Sequence, residues 1–221
     1  MKILFLYRHG ILGGVCTQLF HRFRNIPDDL DIEIHCGFRN DYGVKDMLSD
    51  YATLHFNLNK ENTVSFLGEN IFDVIIIIDS YEYVEALREI DHSAVVFIEV
   101  HTSIERNLEY LSRLQVSDFD AFITVSEYMK DRIRYHVGNE MNGKRIITIG
   151  NVLDSTLFIP EKIDTKGSPI VSWVGKIDDH KDWKAFINIA SHIHKDNTEI
   201  EFWIIGGQTC PEELAQNVFD L

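Results

Sequence analysis

Three places in this chain bring together residue types that can do chemistry. The first is Gly10-Ile11-Leu12-Gly13-Gly14, which follows an apolar run and precedes an amphipathic stretch. Gly13 and Gly14 let backbone N–H groups come close to a ligand, and a helix opening there favours an anion. The spacing is not G-x-G-x-x-G, so the dinucleotide fingerprint is absent, and a tight strand-to-helix turn suits the same residues. The second is His101, at the end of the run 94–100. In an open parallel sheet ligands bind beyond the C-terminal strand ends, where a histidine can donate a hydrogen bond to a ligand hydroxyl or accept one. With Thr102 and Ser103 beside it, His101 also reads as a loop or helix-capping residue, and Asp79-Ser80 after the run 73–78 is equally ambiguous. The third is Gly175-Lys176 with His180-Lys181, two lysines at a strand end and at the next helix start. They suit a diphosphate clamp, or a solvated charged turn diluted by Asp178 and Asp179. Gly206-Gly207 is a further close-approach turn or a plain strand end.

These residues need elements to hold them. Apolar runs at 3–7, 31–36, 52–56, 73–78, 94–100, 121–125 and 145–149 alternate with helical stretches. Several are continuously apolar and rich in Val and Ile, as strands buried on both faces are. Ile104, Leu108 and Leu111 share one helix face, and Met129, Ile133 and Val137 another. Ser126 reads as a helix N-cap. Strand–helix alternation implies right-handed crossovers and a doubly wound parallel sheet. Residues 151–168, with Pro160 and Gly167, read as a linker. The pattern then restarts with strands at 170–174 and 200–205, a helix at 181–194 and a helix start at 211–219. The expected organisation is a Rossmann-like domain over 1–150, a linker over 151–168 and part of a second Rossmann-like domain over 169–221.

Composition narrows the function classes. With 221 residues, 45% hydrophobic and 25% charged, the chain reads as a soluble globular protein of one domain and a fraction. Its formal net charge of −14 argues against a general nucleic-acid binder. It also disfavours adsorption to anionic membranes, leaving peripheral membrane contact to a local basic patch. Cys16, Cys36 and Cys210 are odd in number and widely spaced. They predict neither a disulfide framework nor a metal cluster, and fit a reducing cytoplasm.

Taken in order, these pieces resemble the retaining GT-B glycosyltransferases of family 4, also called group 1, along the whole chain. Gly13-Gly14 is similar to that family's glycine loop, and Glu99-Val100-His101 to its strand-ending histidine. Thr124-Val125-Ser126-Glu127-Tyr128-Met129-Lys130 resembles its strand-to-helix step. Gly150-Asn151-Val152-Leu153-Asp154 with Phe158 and Pro160 resembles its interdomain pattern N-G-V-D-x-x-x-F-x-P. Trp173-Val174-Gly175-Lys176 with Lys181 resembles V-G-R…K-G, and Ile204-Ile205-Gly206-Gly207 its next strand and turn. Val152 stands where the pattern has Gly, Lys176 where it has Arg, and Asp182 where it has Gly. Lysine keeps the charge and loses the bidentate fork.

The resemblance implies transfer of a sugar from a nucleotide-diphosphate sugar to a hydroxyl acceptor, with retention, in glycan or polysaccharide biosynthesis. It implies that His101 lies near the donor sugar and that Gly13 and Gly14 face the donor–acceptor junction. Lys176 and Lys181 would hold the leaving diphosphate without a metal or cofactor. The acceptor would be a glycan or small molecule docked on the first domain, with no nucleic-acid partner. The family's later acidic pair, seven residues apart, has no counterpart in this sequence, so the chain alone is expected to show little activity. The alternative is a non-catalytic glycan- or protein-binding module that self-associates through the exposed sheet edge of its second part.

Overall fold

A computed structural model describes residues 1–138, 143–157, 167–177 and 181–207. The chain divides into two compact units, Met1–Asp154 and Ser155–Leu221. Phe158, Pro160, Lys166, Asp178, Asp179, His180, Cys210 and the helix start at 211–219 lie outside the described residues.

In the first unit strands and helices alternate: β1 (Lys2–Tyr7), α1 (Gly14–Arg24), β2 (Glu33–Gly37), α2 (Val44–Leu48), β3 (Thr53–His55), α3 (Lys60–Glu69) and β4 (Val74–Ile78). Then follow α4 (Tyr81–Leu87), β5 (Val95–Val100), α5 (Glu105–Leu108), β6 (Ala121–Thr124), α6 (Glu127–Val137) and β7 (Arg145–Thr148). The seven strands form one sheet in the order β3-β2-β1-β4-β5-β6-β7, every pair parallel. The connections reverse direction between β1 and β4, a topological switch point.

Alternation along the strands explains their continuous apolarity. Leu4 and Leu6 of β1, Ile75 and Ile77 of β4, and Val96, Ile98 and Val100 of β5 point to one face. There they pack with Leu67 of α3, Tyr83 and Leu87 of α4, and Met129 and Ile133 of α6. Phe5, Ile34, Cys36 and Ile78 point to the other, against Cys16, Leu19 and Phe23 of α1 and Val44 and Leu48 of α2. Both faces are covered, so both residue parities must be apolar.

The helical stretch expected from Ile104 to Leu111 differs in one respect. Ile104 is exposed and precedes α5, which lasts one turn before a 3₁₀ segment, Glu109–Arg113. Leu108, Leu111 and Leu114, spaced by three, are the buried residues there, and spacing by three is the 3₁₀ period. The Ser126 hydroxyl caps α6, accepting from Met129 N–H at 3.3 Å.

The second unit pairs β8 (Ile170–Val174) in parallel with β9 (Glu201–Ile205), α7 (Trp183–His194) lying between them in sequence. Among the described residues no helix is long and apolar enough to cross a membrane.

Candidate active site

The C-terminal strand ends of the first unit enclose a cleft of about 820 Å³. Its wall runs from Tyr7 and His9 after β1, through Asp79 after β4 and His101 after β5, to Val125 after β6 and Asn151 after β7. The N-terminal end of α1 closes it with Gly13, Gly14 and Gln18. The cleft therefore lies at the switch point.

The glycine loop divides into a packed part and an open part. Gly10 donates N–H to Asn40 Oδ1 at 3.1 Å and accepts from Tyr42 N–H at 2.6 Å. A β-carbon there would collide with the Asn40 carbonyl oxygen, so packing against the loop after β2 requires glycine. Gly13 and Gly14 differ. Gly13 has extended backbone that any residue adopts, a β-carbon on it would meet only Ile11 Cγ1 at 4.0 Å, and one on Gly14 would meet nothing. Neither the backbone nor the protein's own packing asks for glycine here, and both residues line the cleft. The helix they open has no side-chain cap and no acidic residue in its first turn. Its unpaired N–H groups and the positive end of its dipole make the setting favourable for an anion.

His101 is held at two points. Glu99 and His101 belong to the side of the sheet that faces α1, because Tyr7, Ile78 and Glu99 are register partners across β1, β4 and β5. Glu99 is fully buried, and Arg22 of α1 reaches down to it. Nη1 donates to Oε2 at 2.9 Å, and Nη2 lies 2.7 Å from Oε1. The His101 Nε2 is 2.7 Å from Oε1. Burial pushes the Glu99 carboxyl upward, but the hydrogen bonds from His101 and Arg22 and the arginine charge outweigh it, and the net shift is downward. Glu99 is thus an anion at neutral pH. The second hold is Asp79. Its Oδ1 accepts His101 N–H at 3.1 Å, and its Oδ2 accepts Thr102 N–H at 3.1 Å. Asp79 has φ 44°, in the left-handed region where Asp and Asn are the tolerated side chains.

Burial raises the Asp79 carboxyl from its ordinary 3.8 to about 6, against the pull of His101 and the two backbone N–H groups. The folded chain then binds this proton more tightly than the unfolded chain does. The contribution is fully present below about pH 4 and is lost as pH rises through about 6. It amounts to no more than about 3 kcal/mol. Denaturant unfolding of the wild type and Asp79→Asn should show it. The wild type should lose up to that much stability relative to the variant between pH 4 and pH 7, and parallel curves would refute the assignment.

At the mouth, Arg8 and Arg39 share Glu82, with Nε 4.0 Å and Nη1 3.6 Å from Oε2. Cys16 lines the cleft but is no nucleophile at neutral pH, since burial pushes its thiol up to about 12. On the far side, Val152 N–H donates to Gln18 Oε1 at 2.7 Å, and Arg24 Nε lies 2.9 Å from Asp154 Oδ2. These contacts tie the segment carrying Asn151 to α1.

Of the residues singled out in the sequence, Gly13, Gly14 and His101 meet in this one cleft. Lys176 and Lys181 both lie in the second unit. Lys176 follows β8, and a β-carbon on Gly175 would lie 3.9 Å from Lys181 Cγ. The Lys181 carbonyl accepts Trp173 Nε1–H at 3.2 Å. Gly206, φ 152°, packs against the Gly175 backbone so closely that a β-carbon would strike its carbonyl oxygen. Sequence reasoning missed Arg22 and did not assign Glu99. The available signal was a carboxylate inside an otherwise apolar strand, which demands a buried partner. Among the described residues no group of three or more His, Cys, Asp or Glu could hold a metal ion.

No protein-family model and no curated protein matches the sequence. Solved structures do resemble the fold. One is an alpha-glucosyltransferase in complex with UDP, with TM-score 0.62 and 15% identity, covering 100% of this chain and 62% of that one. Another is an alpha-glucosyltransferase in complex with UDP-glucose and DNA containing an abasic site, with TM-score 0.57 and 14% identity, covering 98% of this chain and 70% of that one. This chain thus spans 62% of the length of the first. At these identities the likeness concerns the fold, which is α/β and GT-B-like, with a doubly wound Rossmann-like unit followed by a unit that pairs two parallel strands. Because DNA is bound in the second neighbour, the expectation of no nucleic-acid partner gains no support from it.

Proposed function

We propose that this chain is part of a nucleotide-sugar-dependent glycosyltransferase, with the first-unit cleft taking the reacting end of the donor and the acceptor hydroxyl. The observation that carries the reading is the convergence of an open glycine pair, an uncapped helix N-terminus and an anchored histidine at the switch point of a GT-B-like fold. The donor's anionic groups suit the α1 N-terminus, and His101 suits a sugar hydroxyl. In the second unit taken by itself, Lys176 after β8 and Lys181 before α7 are proposed as a grip for a diphosphate. Positive charge there stabilises the oxyanion as it departs, so the scheme asks for no metal. Retention at the anomeric carbon, a cytoplasmic setting and a role in glycan assembly belong to the same proposal.

The neighbours bound to UDP and UDP-glucose set the first experiment. Calorimetric titration of the chain with UDP and with UDP-glucose should give saturable binding of both. Absence of heat with either, confirmed by unchanged thermal unfolding at millimolar ligand, would refute the reading. A short DNA duplex belongs in the same series. The net charge of −14 opposes a polyanionic acceptor, and saturable duplex binding would replace the glycan or small-molecule acceptor with nucleic acid.

A second reading is a non-catalytic module that self-associates. It is favoured by the apolar residues exposed on β8 and β9, among them Val174, Trp203 and Ile205. Sedimentation over a concentration series distinguishes it: a dimer that binds no nucleotide supports the module.

A further inference from the structure

The geometry points to Glu99, braced by Arg22, as the positioning residue that fixes the proton of His101 on Nε2 and presents Nδ1 to the cleft as a hydrogen-bond acceptor for a ligand hydroxyl. An ionised carboxylate only accepts hydrogen bonds. Both of its oxygens are engaged: Oε2 by Arg22 Nη1, and Oε1 by Arg22 Nη2 at 2.7 Å and His101 Nε2 at 2.7 Å. Since Oε1 cannot donate, the hydrogen in the Glu99–His101 bond must sit on Nε2. In its neutral form the imidazole carries one N–H, and in that form Nδ1 is left with its lone pair. Among the described residues nothing hydrogen-bonds to Nδ1, and the ring belongs to the cleft wall.

The backbone is constrained as well. Asp79 receives the N–H groups of His101 and Thr102, so the chain cannot slide at the point where β5 ends. Ring and main chain are therefore fixed separately, the ring by a carboxylate from β5 itself and the main chain by one after β4. A neutral histidine in solution exchanges between its two tautomers and rotates. Here one of the two is selected before any ligand arrives, which lowers the ordering cost of binding. A ligand hydroxyl meeting Nδ1 would have to donate. This is a rule about ligand chemistry: a hydroxyl suits the position, and a carbonyl or ether oxygen does not.

This assignment rests on the nucleotide-sugar reading only for the identity of the ligand. The test therefore begins with the unliganded chain, labelled with ¹⁵N-histidine and assigned by comparison with His101→Gln. Two-bond ¹H–¹⁵N correlation should show His101 protonated at Nε2 and bare at Nδ1 in the wild type. Removing Glu99 alone leaves Arg22 unpaired and endangers folding. The informative variant is therefore the double change Arg22→Met with Glu99→Leu, which replaces the buried ion pair by apolar volume. There the selection should be lost, giving averaged or reversed tautomers. Glu99→Gln keeps an acceptor oxygen and should keep the Nε2–H form. A wild type protonated at Nδ1, or a double variant that retains the wild-type pattern, overturns the assignment. Titration with UDP-glucose then separates the two levels. If the tautomer follows Glu99 and UDP-glucose binds, the double variant should bind about tenfold more weakly, the worth of one hydrogen bond, with Glu99→Gln closer to the wild type. If the tautomer follows Glu99 and UDP-glucose does not bind, the positioning role stands and the nucleotide-sugar reading falls.

Discussion

Replacing Arg22 by methionine alone should cost about 3–5 kcal/mol in denaturant unfolding at neutral pH, the penalty for leaving a buried carboxylate without its counter-charge. Glu99 has no exposed surface, and the Arg22 side chain is only 16% exposed. Water cannot take over solvation of the carboxylate when the guanidinium is gone. Folding would then have to proceed with a protonated Glu99 or a poorly paired anion. Combining the change with Glu99→Leu should restore most of the loss, because apolar side chains in place of a buried ion pair are often neutral or stabilising. The double variant is thus more stable than the single one, an inversion that simple loss of contacts does not produce. A loss below about 1 kcal/mol for Arg22→Met would show that the pair behaves like a surface salt bridge.

Gly14→Leu should leave the fold intact and abolish the site. A β-carbon at position 14 meets nothing within 4 Å, and a non-glycine residue gains about 0.5–1 kcal/mol in helical backbone entropy. Thermal unfolding should be unchanged or slightly raised. The isobutyl group would occupy the approach to the α1 N-terminus, and UDP-glucose affinity should fall at least about tenfold. The paired control is Gly10→Ala, where the β-carbon collides with Asn40. It should destabilise the first unit directly. Wild-type affinity in Gly14→Leu would place the ligand elsewhere, and unfolding of Gly14→Leu would mean the open face is packed in solution.

Much of the fold was legible because a sheet buried on both faces writes itself into the sequence. The runs expected at 3–7, 73–78 and 94–100 are observed as Lys2–Tyr7, Val74–Ile78 and Val95–Val100, and hydrophobic continuity carries that information without any knowledge of partners. The site was legible only in part. Gly13, Gly14 and His101 stand out by type and by their places after strands. The same logic could not separate Gly10, which packing requires, from Gly13 and Gly14, which it does not. That distinction lies in the loop after β2, some 30 residues away. Arg22 was hidden for a similar reason. On α1 it looks like one more cation in a last turn that also carries His21 and Arg24. Its role follows from strand register, which puts Glu99 beneath it, and no local pattern encodes register between β4 and β5. The helix expected through Ile104 failed where three leucines follow the tighter 3₁₀ period.

The strand order also bears on how the chain is born. Inside the sheet β1 is flanked by β2 and β4. At about 5–20 residues per second, some 70 residues and roughly 4–14 s of synthesis separate β1 from β4. During that interval the Leu4, Leu6 and Phe5 side chains have at best one neighbouring strand, and one backbone edge of β1 is open to other chains. The segment that closes it, Val74–Ile78, is itself the most apolar run of the protein. Nascent chains paused before Ile78 should therefore be a strong substrate for holdase chaperones, and the arrival of that strand should mark their release.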